Sequence, residues 1–341
     1  MKLVMIVFTA LALLLGAAAQ ADQPATALST EELGITCDHA CLIGVMDQYL
    51  AAMIAHNPAG VAISAQVKFS ENGVVLPIGM AAWQTMDSLG AFKQYMADPQ
   101  GHSVGFLGTI MERGREAILS VRLKLKDRVI DEAEQIVVRI QPGYFIYDPA
   151  GWDKFTQPGS GQTPTTADWN DTLKPSERVP RDRMIAIADS YFSAIQGGAA
   201  TPVPIAPNGY RIENGTETCG VATTAPDGSK GPGSPRQPCA EQLSIKGYSP
   251  YDNEVRGRRY LVADEEKGIV FSHVFFDHAG TAKFRMDRNG NKVPIAGGSS
   301  GADWPNSLAI DEIFWIKNGV IVHIAANIIT VPYGMPSGWE N

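Results

Sequence analysis

The stretch DEIFWIKNGVIVHIAANII, Asp311 to Ile329, places an acid pair and a histidine inside two otherwise apolar runs. A carboxylic acid among apolar neighbours has a raised pKa, because desolvation disfavours its charged form. Such a group can act as an acid or base near neutral pH, where histidine already titrates. Asn318-Gly319 is a strong two-residue hairpin signal. Counting back from it sets Lys317 against Val320 and Phe314 against His323. Strand alternation then separates the acids. Glu312 shares a face with Ile310, Phe314 and Ile316, whereas Asp311 shares the other with Ala309, Ile313 and Trp315. His323, opposite Phe314, is expected on the Glu312 face, so Glu312 with His323 is the favoured catalytic pair and Asp311 the substitute. Arg259, in RGRRYLVADEE on a neighbouring strand, is expected to anchor a substrate carboxylate or to neutralise Glu312 or Asp264.

Other reactive residue types carry weaker patterns. His273 and Asp277 share an alternation face, but a metal needs a further converging ligand. Neither a metal nor a cofactor is expected. Glu71 and Glu213 sit in a repeated ENG and read as capping or turn residues. Phe271, Phe275, Phe276, Phe314 and Trp315 line a cavity or form core. The chain has no Gly-rich phosphate loop, no G-x-S-x-G elbow and no H-E-x-x-H. The cluster Arg256, Arg258 and Arg259 reads as surface or ion-paired. With a net charge of −8 and scattered lysines and arginines, no basic stripe points to nucleic acid.

Residues 1–21 read as a signal peptide: a lysine, an apolar run of signal length and Ala19-Gln20-Ala21 as a cleavage site. The expected location is periplasmic or extracellular, with no membrane span beyond the leader. An even cysteine count in an exported chain favours disulfides. The natural pairing is Cys37–Cys41 and Cys219–Cys239, although crossed pairings stay open on sequence. Zinc is the alternative, but only His39 accompanies the cysteines.

The elements that must position these residues are written twice. MDQYLAAMIAHNP (Met46–Pro58) matches ADSYFSAIQGGAA (Ala188–Ala200) at an offset of 142, and the same offset carries SENG onto IENG. LKLKDRVIDEAEQIVVR matches FWIKNGVIVHIAANIIT at an offset of 191, which leaves 49 residues of insertion in the second copy. The first copy spans 37–146, a linker 147–177, and the second copy 178–341 with inserted loops at 219–239 and 278–306. Trp152, Phe155 and Trp169 suggest that the linker lies against a surface. GGSSG (297–301) reads as a flexible tip over the second pocket. Each copy reads as helix first, strands last, with a second helix expected over Thr85–Ala97. Short turns at Arg113-Gly114, Asp127-Arg128 and Lys267-Gly268 join the strands. Helix plus antiparallel meander makes an α+β layer.

An N-terminal helix ending in IAHNP, then ENG, then the FWIKNGVI turn resemble the nuclear transport factor 2-like, or SnoaL-like, superfamily. CDHACL, VRGRR…DEEKG and PYGMPSGW resemble a secreted, two-copy group of that type. The resemblance covers about residues 37–146 and 178–339. It implies two cone-shaped domains, each a curved antiparallel sheet wrapped on a long helix around an apolar pocket. The two would form an internal pseudo-dimer or join a homo-oligomer. The superfamily includes cofactor-free isomerases, dehydratases and lyases, some acting on lignin-derived aromatics, and many non-catalytic modules. The first copy carries Ser120 and Val121 where the acids stand and Glu132 where His323 stands, so the second pocket is the expected active one. The expected function is thus an exported, cofactor-free acid–base lyase, dehydratase or isomerase for a hydrophobic small molecule. The alternative is a periplasmic module that binds an apolar ligand or a protein without chemistry.

Overall fold

The computed structural model describes residues 37–140, 147–154, 170–197, 202–220, 238–244, 250–286, 291–295 and 303–340. The expected signal segment 1–21, Phe155, Trp169 and the tip 297–301 lie outside them.

The first unit opens with α1, His39–Ile54. Asp38 caps it by accepting from the Cys41 amide at 2.9 Å, and the Cys37–Cys41 disulfide clips the same turn. Leu42, Met46, Tyr49, Leu50 and Met53 recur at helical spacing and are buried together. Six strands follow: β1 (Ile63–Glu71), β2 (Val74–Leu76), β3 (Met86–Asp98), β4 (Ser103–Glu112), β5 (Arg115–Lys126) and β6 (Val129–Val138). They form one sheet in the order β2-β1-β6-β5-β4-β3, in which only β1 and β6 run parallel.

After α2 (Pro149–Lys154) the second unit repeats the plan: α3 (Arg181–Ile195), β7 (Ile205–Glu213), β8 (Thr216–Cys219), α4 (Cys239–Ser244), β9 (Glu254–Asp264) and β10 (Ile269–His278). A small hairpin of β11 (Phe284–Met286) and β12 (Lys292–Pro294) precedes β13 (Asn306–Lys317) and β14 (Val320–Val331). The second six-stranded sheet, β8-β7-β14-β13-β10-β9, copies the first. β1 maps onto β7 at an offset of 142, β4 onto β10 at 166 and β5 onto β13 at 191. The offset therefore grows by 24 across the stretch holding the Cys219–Cys239 disulfide and by 25 between β10 and β13.

Of Thr85–Ala97, expected as a helix, all but Thr85 lie in strand β3. Register shifts lie between Met86 and Ser88 and between Leu89 and Lys93. These bulges break the two-residue alternation, so Met86, Leu89, Phe92 and Met96 recur at intervals of three and four as helix residues would. Glu71 caps the amide of Ala82 in a short 3-10 turn at 2.9 Å, and in the ENG turns themselves the asparagines bind the neighbouring strand. Asn72 and Asn214 take left-handed backbone (φ 53° and 46°). Each brackets one residue of the neighbouring strand, Asn72 accepting from the Val137 amide at 2.8 Å and Asn214 from that of Ile328 at 2.8 Å.

Three apolar clusters organise the molecule. One joins α1 to the inner face of the first sheet. Another joins Met184, Ile187, Tyr191 and Phe192 of α3 to Val270, Ile310, Phe314 and Ile324. The third lies between the sheets, where Phe92, Leu107 and Ile136 of the first meet Phe271, Ile313 and Trp315 of the second. Both faces of each sheet are thus covered, and β10 is buried along its whole length. From the linker, Trp152 is buried against Phe92, with ring centroids 4.8 Å apart.

Candidate functional site

Asp311 and Glu312 are each 2% exposed, on opposite faces of β13. Glu312 faces α3. Asp311 faces the first unit, accepting from the Ser120 hydroxyl at 2.6 Å and pairing with His273 Nδ1 at 2.8 Å. His323 does not join Glu312. A register shift between Trp315 and Ile316 sets His323 opposite Trp315 and Phe314 opposite Ile324. One extra residue on β14 flips everything beyond it to the other face. His323 therefore shares the Asp311 face, its ring 4.5 Å from that of Tyr210.

Arg259 also takes a partner other than those expected. It crosses to the first unit and grips both oxygens of Glu134, at 2.9 and 2.5 Å. Burial alone would raise the Glu134 carboxyl. The Arg259 hydrogen bonds, with the charges of His273, Arg259 and Arg122, outweigh it and hold the group below the carboxylate range. Asp264 instead accepts from the Ala97 amide at 2.9 Å and pairs with His39. Its repeat-equivalent, Asp98, accepts from the Ala263 amide at 3.2 Å and pairs with Arg181, the equivalent of His39. Arg256 and Arg258 are also ion-paired, with Asp277 and Asp189. His273 and Asp277 thus turn to different partners and do not converge on a metal.

Around Glu312 the interior of the second unit is polar. Arg211, 3% exposed on β7, forms an ion pair with Glu213 at 2.8 Å and donates to Thr218 at 2.9 Å, to the Tyr191 hydroxyl at 2.9 Å and to Gln242 at 3.1 Å. Tyr191 hydrogen-bonds Glu312 in turn. Gln242 belongs to α4, which the Cys219–Cys239 disulfide ties to β8, so the inserted loop completes the cage. Burial pushes the Glu312 carboxyl up to about 8, Arg211 and Tyr191 resisting and Glu213 adding to the rise. A second buried pair, Asp252 and His278, meets at 2.7 Å. Burial raises Asp252 too, and its carboxyl feels the charges of Glu213 and Arg211.

Sequence reasoning passed over Arg211 and Tyr191. The signal was in the repeat: Tyr191 falls on Tyr49, and Arg211 stands where the first copy has Phe69, two residues before Glu213 and on its face.

In the first unit Val121 replaces Glu312, and the polar residues lead outward. Trp83 donates to the Tyr49 hydroxyl at 3.2 Å, Tyr49 to Gln135 at 3.2 Å, and Gln135 to Glu71 at 2.9 Å. Arg139 then bridges Glu71 and Glu112, at 2.9 and 2.5 Å. A cavity of about 650 Å³ opens there, lined by Glu71, Thr85, Glu112, Arg113, Arg115 and Arg139 among others.

These features define an α+β protein of two similar helix-and-sheet units with two disulfides. No helix among the described residues is long and apolar enough to cross a membrane. The two disulfides are compatible with export. A family model described as a domain of unknown function (DUF8021) matches residues 177–328, which hold α3 through most of β14. No curated protein matches the chain. Among solved structures, a de novo designed protein with curved beta-sheet aligns at 10% identity over 32% of this chain and 91% of its own. Its TM-score of 0.26 is too low to carry an argument.

Proposed function

We propose that the protein is an exported acid–base catalyst of the lyase, dehydratase or isomerase type, acting without a cofactor on a hydrophobic small molecule through Glu312. The supporting observation is a buried carboxyl that hydrogen-bonds a tyrosine whose hydroxyl is itself held by Arg211. In its acid form Glu312 gives a proton to a leaving or carbonyl oxygen. In its base form it takes one from an activated carbon. Tyr191 and Arg211 steady the carboxylate between those steps. His323, Asp311 and Arg259 lie on the sheet's other face or in inter-unit contacts, so the proposed site is Glu312 with Tyr191 and Arg211 in their place. We read the two units as an internal pseudo-dimer of the nuclear transport factor 2-like type, and the reciprocal Asp98 and Asp264 contacts support that reading.

The test is incubation of the mature chain with plant-derived aromatic compounds, read by mass spectrometry. Turnover lost in Glu312→Gln, with a limb of the pH–rate profile near 8, is the expected result. Full turnover in Glu312→Gln overturns it.

A second reading is a non-catalytic binding module. It is favoured by the position of the 650 Å³ cavity, which lies in the first unit and not beside Glu312. A compound retained and returned unchanged would support it.

A further inference from the structure

We propose that the cavity over Arg139 in the first unit binds a small zwitterion of the α-amino acid type, its carboxylate on Arg113 and Arg115 and its ammonium toward Glu71 and Glu112. The charges of the lining are divided in space. On the inner wall, Arg139 is shared by two carboxylates, and both are further occupied. Glu71 accepts from the Ala82 amide and from Gln135, each at 2.9 Å, and Glu112 from the Thr85 hydroxyl at 2.5 Å. Glu112 stays ionised: burial alone would raise it, but the Arg139 and Thr85 hydrogen bonds and the Arg139 charge hold it below the usual range. One cation against two anions leaves that wall negative by one charge.

The rim is the reverse. Arg113 sits on the β4–β5 turn, and its hydrogen bond there goes to the Gln84 carbonyl at 3.4 Å, not to an acid. Arg115 opens β5, directly across from Glu112 in the register, and makes no ion pair among the described residues. Against these two cations stands one further acid of the lining, Glu116. Within the lining the rim is therefore positive by one charge, while Asp87, outside the lining, accepts from the Gly114 amide of the same turn at 2.9 Å. A guanidinium without a carboxylate partner, facing a concave space, is suited to a carboxylate. A strand's width away, the surplus negative charge of the wall suits an ammonium. Ala81, Ala117 and Ile140 supply apolar lining for a side chain, and the volume is in the usual range for small-molecule sites.

The discriminating experiment is calorimetric titration of the full mature chain with three probes of one shape. L-phenylalanine carries both charges, L-phenylalanine amide lacks the carboxylate and 3-phenylpropionate lacks the ammonium. Phenylalanine is expected to bind, and each singly charged probe to bind roughly tenfold more weakly. Arg115→Ala is expected to weaken phenylalanine by a similar factor while leaving the amide unchanged. Glu112→Gln is expected to do the converse, weakening phenylalanine and sparing 3-phenylpropionate. Arg115 is exposed, so its variant should fold normally, and circular dichroism confirms that. The proposal is overturned if phenylalanine gives no binding heat at millimolar concentration. Equal affinity for the amide, or phenylalanine binding that survives Arg115→Ala unchanged, overturns it as well. Binding is read without turnover, so failure here leaves the Glu312 reading standing, and failure there leaves this one.

Discussion

The two units share a frame and differ in where they put their charge. Tyr49 and Glu71 in the first correspond to Tyr191 and Glu213 in the second, on the same helix and the same strand. In the first unit the arginine that meets the glutamate is Arg139, just after the last strand and on the inner wall of the cavity. In the second it is Arg211, beneath the sheet at the position of Phe69. That exchange lets a second carboxyl, Glu312, be buried where the first unit has Val121. Two changes, on β7 and on β13 with β14 between them, put a buried cation and a buried acid where the first unit has Phe69 and Val121, while the backbone plan is the same. The frame therefore says little about chemistry, and the residue swaps say most of it.

The swap at Phe69 and Arg211 gives the largest expected difference. Arg211→Met strips a buried cation from Glu213 and takes one hydrogen bond each from Tyr191, Thr218 and Gln242, with an expected cost of about 3–5 kcal/mol. Phe69→Leu in the first unit removes only packing and should cost about 1–2 kcal/mol. Urea unfolding of both variants checks the contrast, and equal costs would show that Arg211 is not an electrostatic keystone.

Glu312 provides a pH signature that Val121 cannot. Its folded pKa of about 8 lies above the ordinary 4.5. Below the ordinary value both states are protonated and nothing is lost. Between the two values the unfolded chain releases the proton and the folded one keeps it, so stability falls as pH rises, by at most about 1.4 kcal/mol per unit. Above about 8 the loss is complete. Glu312→Gln should remove that slope, and stability curves measured from pH 5 to 8 that run parallel for both proteins would refute the shifted carboxyl.

Between the units, Ser120 and Asp311 are repeat-equivalents that touch each other at 2.6 Å. Asp311→Ala takes partners from both Ser120 and His273 and is expected to cost about 2 kcal/mol, whereas Ser120→Ala should cost about 1 kcal/mol. Thermal unfolding of the pair and of the double variant measures the coupling. Additive losses would mean that the contact does not join the units energetically.

What the sequence revealed depended on range. The repeat, the hairpin about Asn318-Gly319 and the turn at Arg113-Gly114 are local patterns, and a local pattern is visible in one chain. So was the division of Asp311 from Glu312, since alternation decides it within a single strand. The face of His323 was hidden by a bulge, which no residue type announces. The same device disguised β3 as a helix. Arg259 is expected to anchor a substrate carboxylate or to neutralise Glu312 or Asp264, yet its partner is Glu134, 125 residues away. That contact exists only because one sheet lies on the other. The Arg211 cage needed both the repeat alignment and the disulfide-tied insertion before its members met.

The smallest expected effect tests whether the frames are equivalent at all. Asn72 and Asn214 occupy left-handed backbone, and each makes two hydrogen bonds to one residue of the adjacent strand. The contacts are alike: amide to Asn oxygen at 2.8 Å in both, and Asn nitrogen to carbonyl at 3.3 Å in the first unit and 2.9 Å in the second. Alanine would lose these bonds and suffer the left-handed strain, about 1–2 kcal/mol in all. If the two units differ only in their charged interiors, Asn72→Ala and Asn214→Ala should cost the same to within about 0.5 kcal/mol. Chemical unfolding read by circular dichroism gives both numbers. A markedly larger loss in the second unit would mean that the Arg211 cage leans on its ENG turn, whose Glu213 is the cage's own anion.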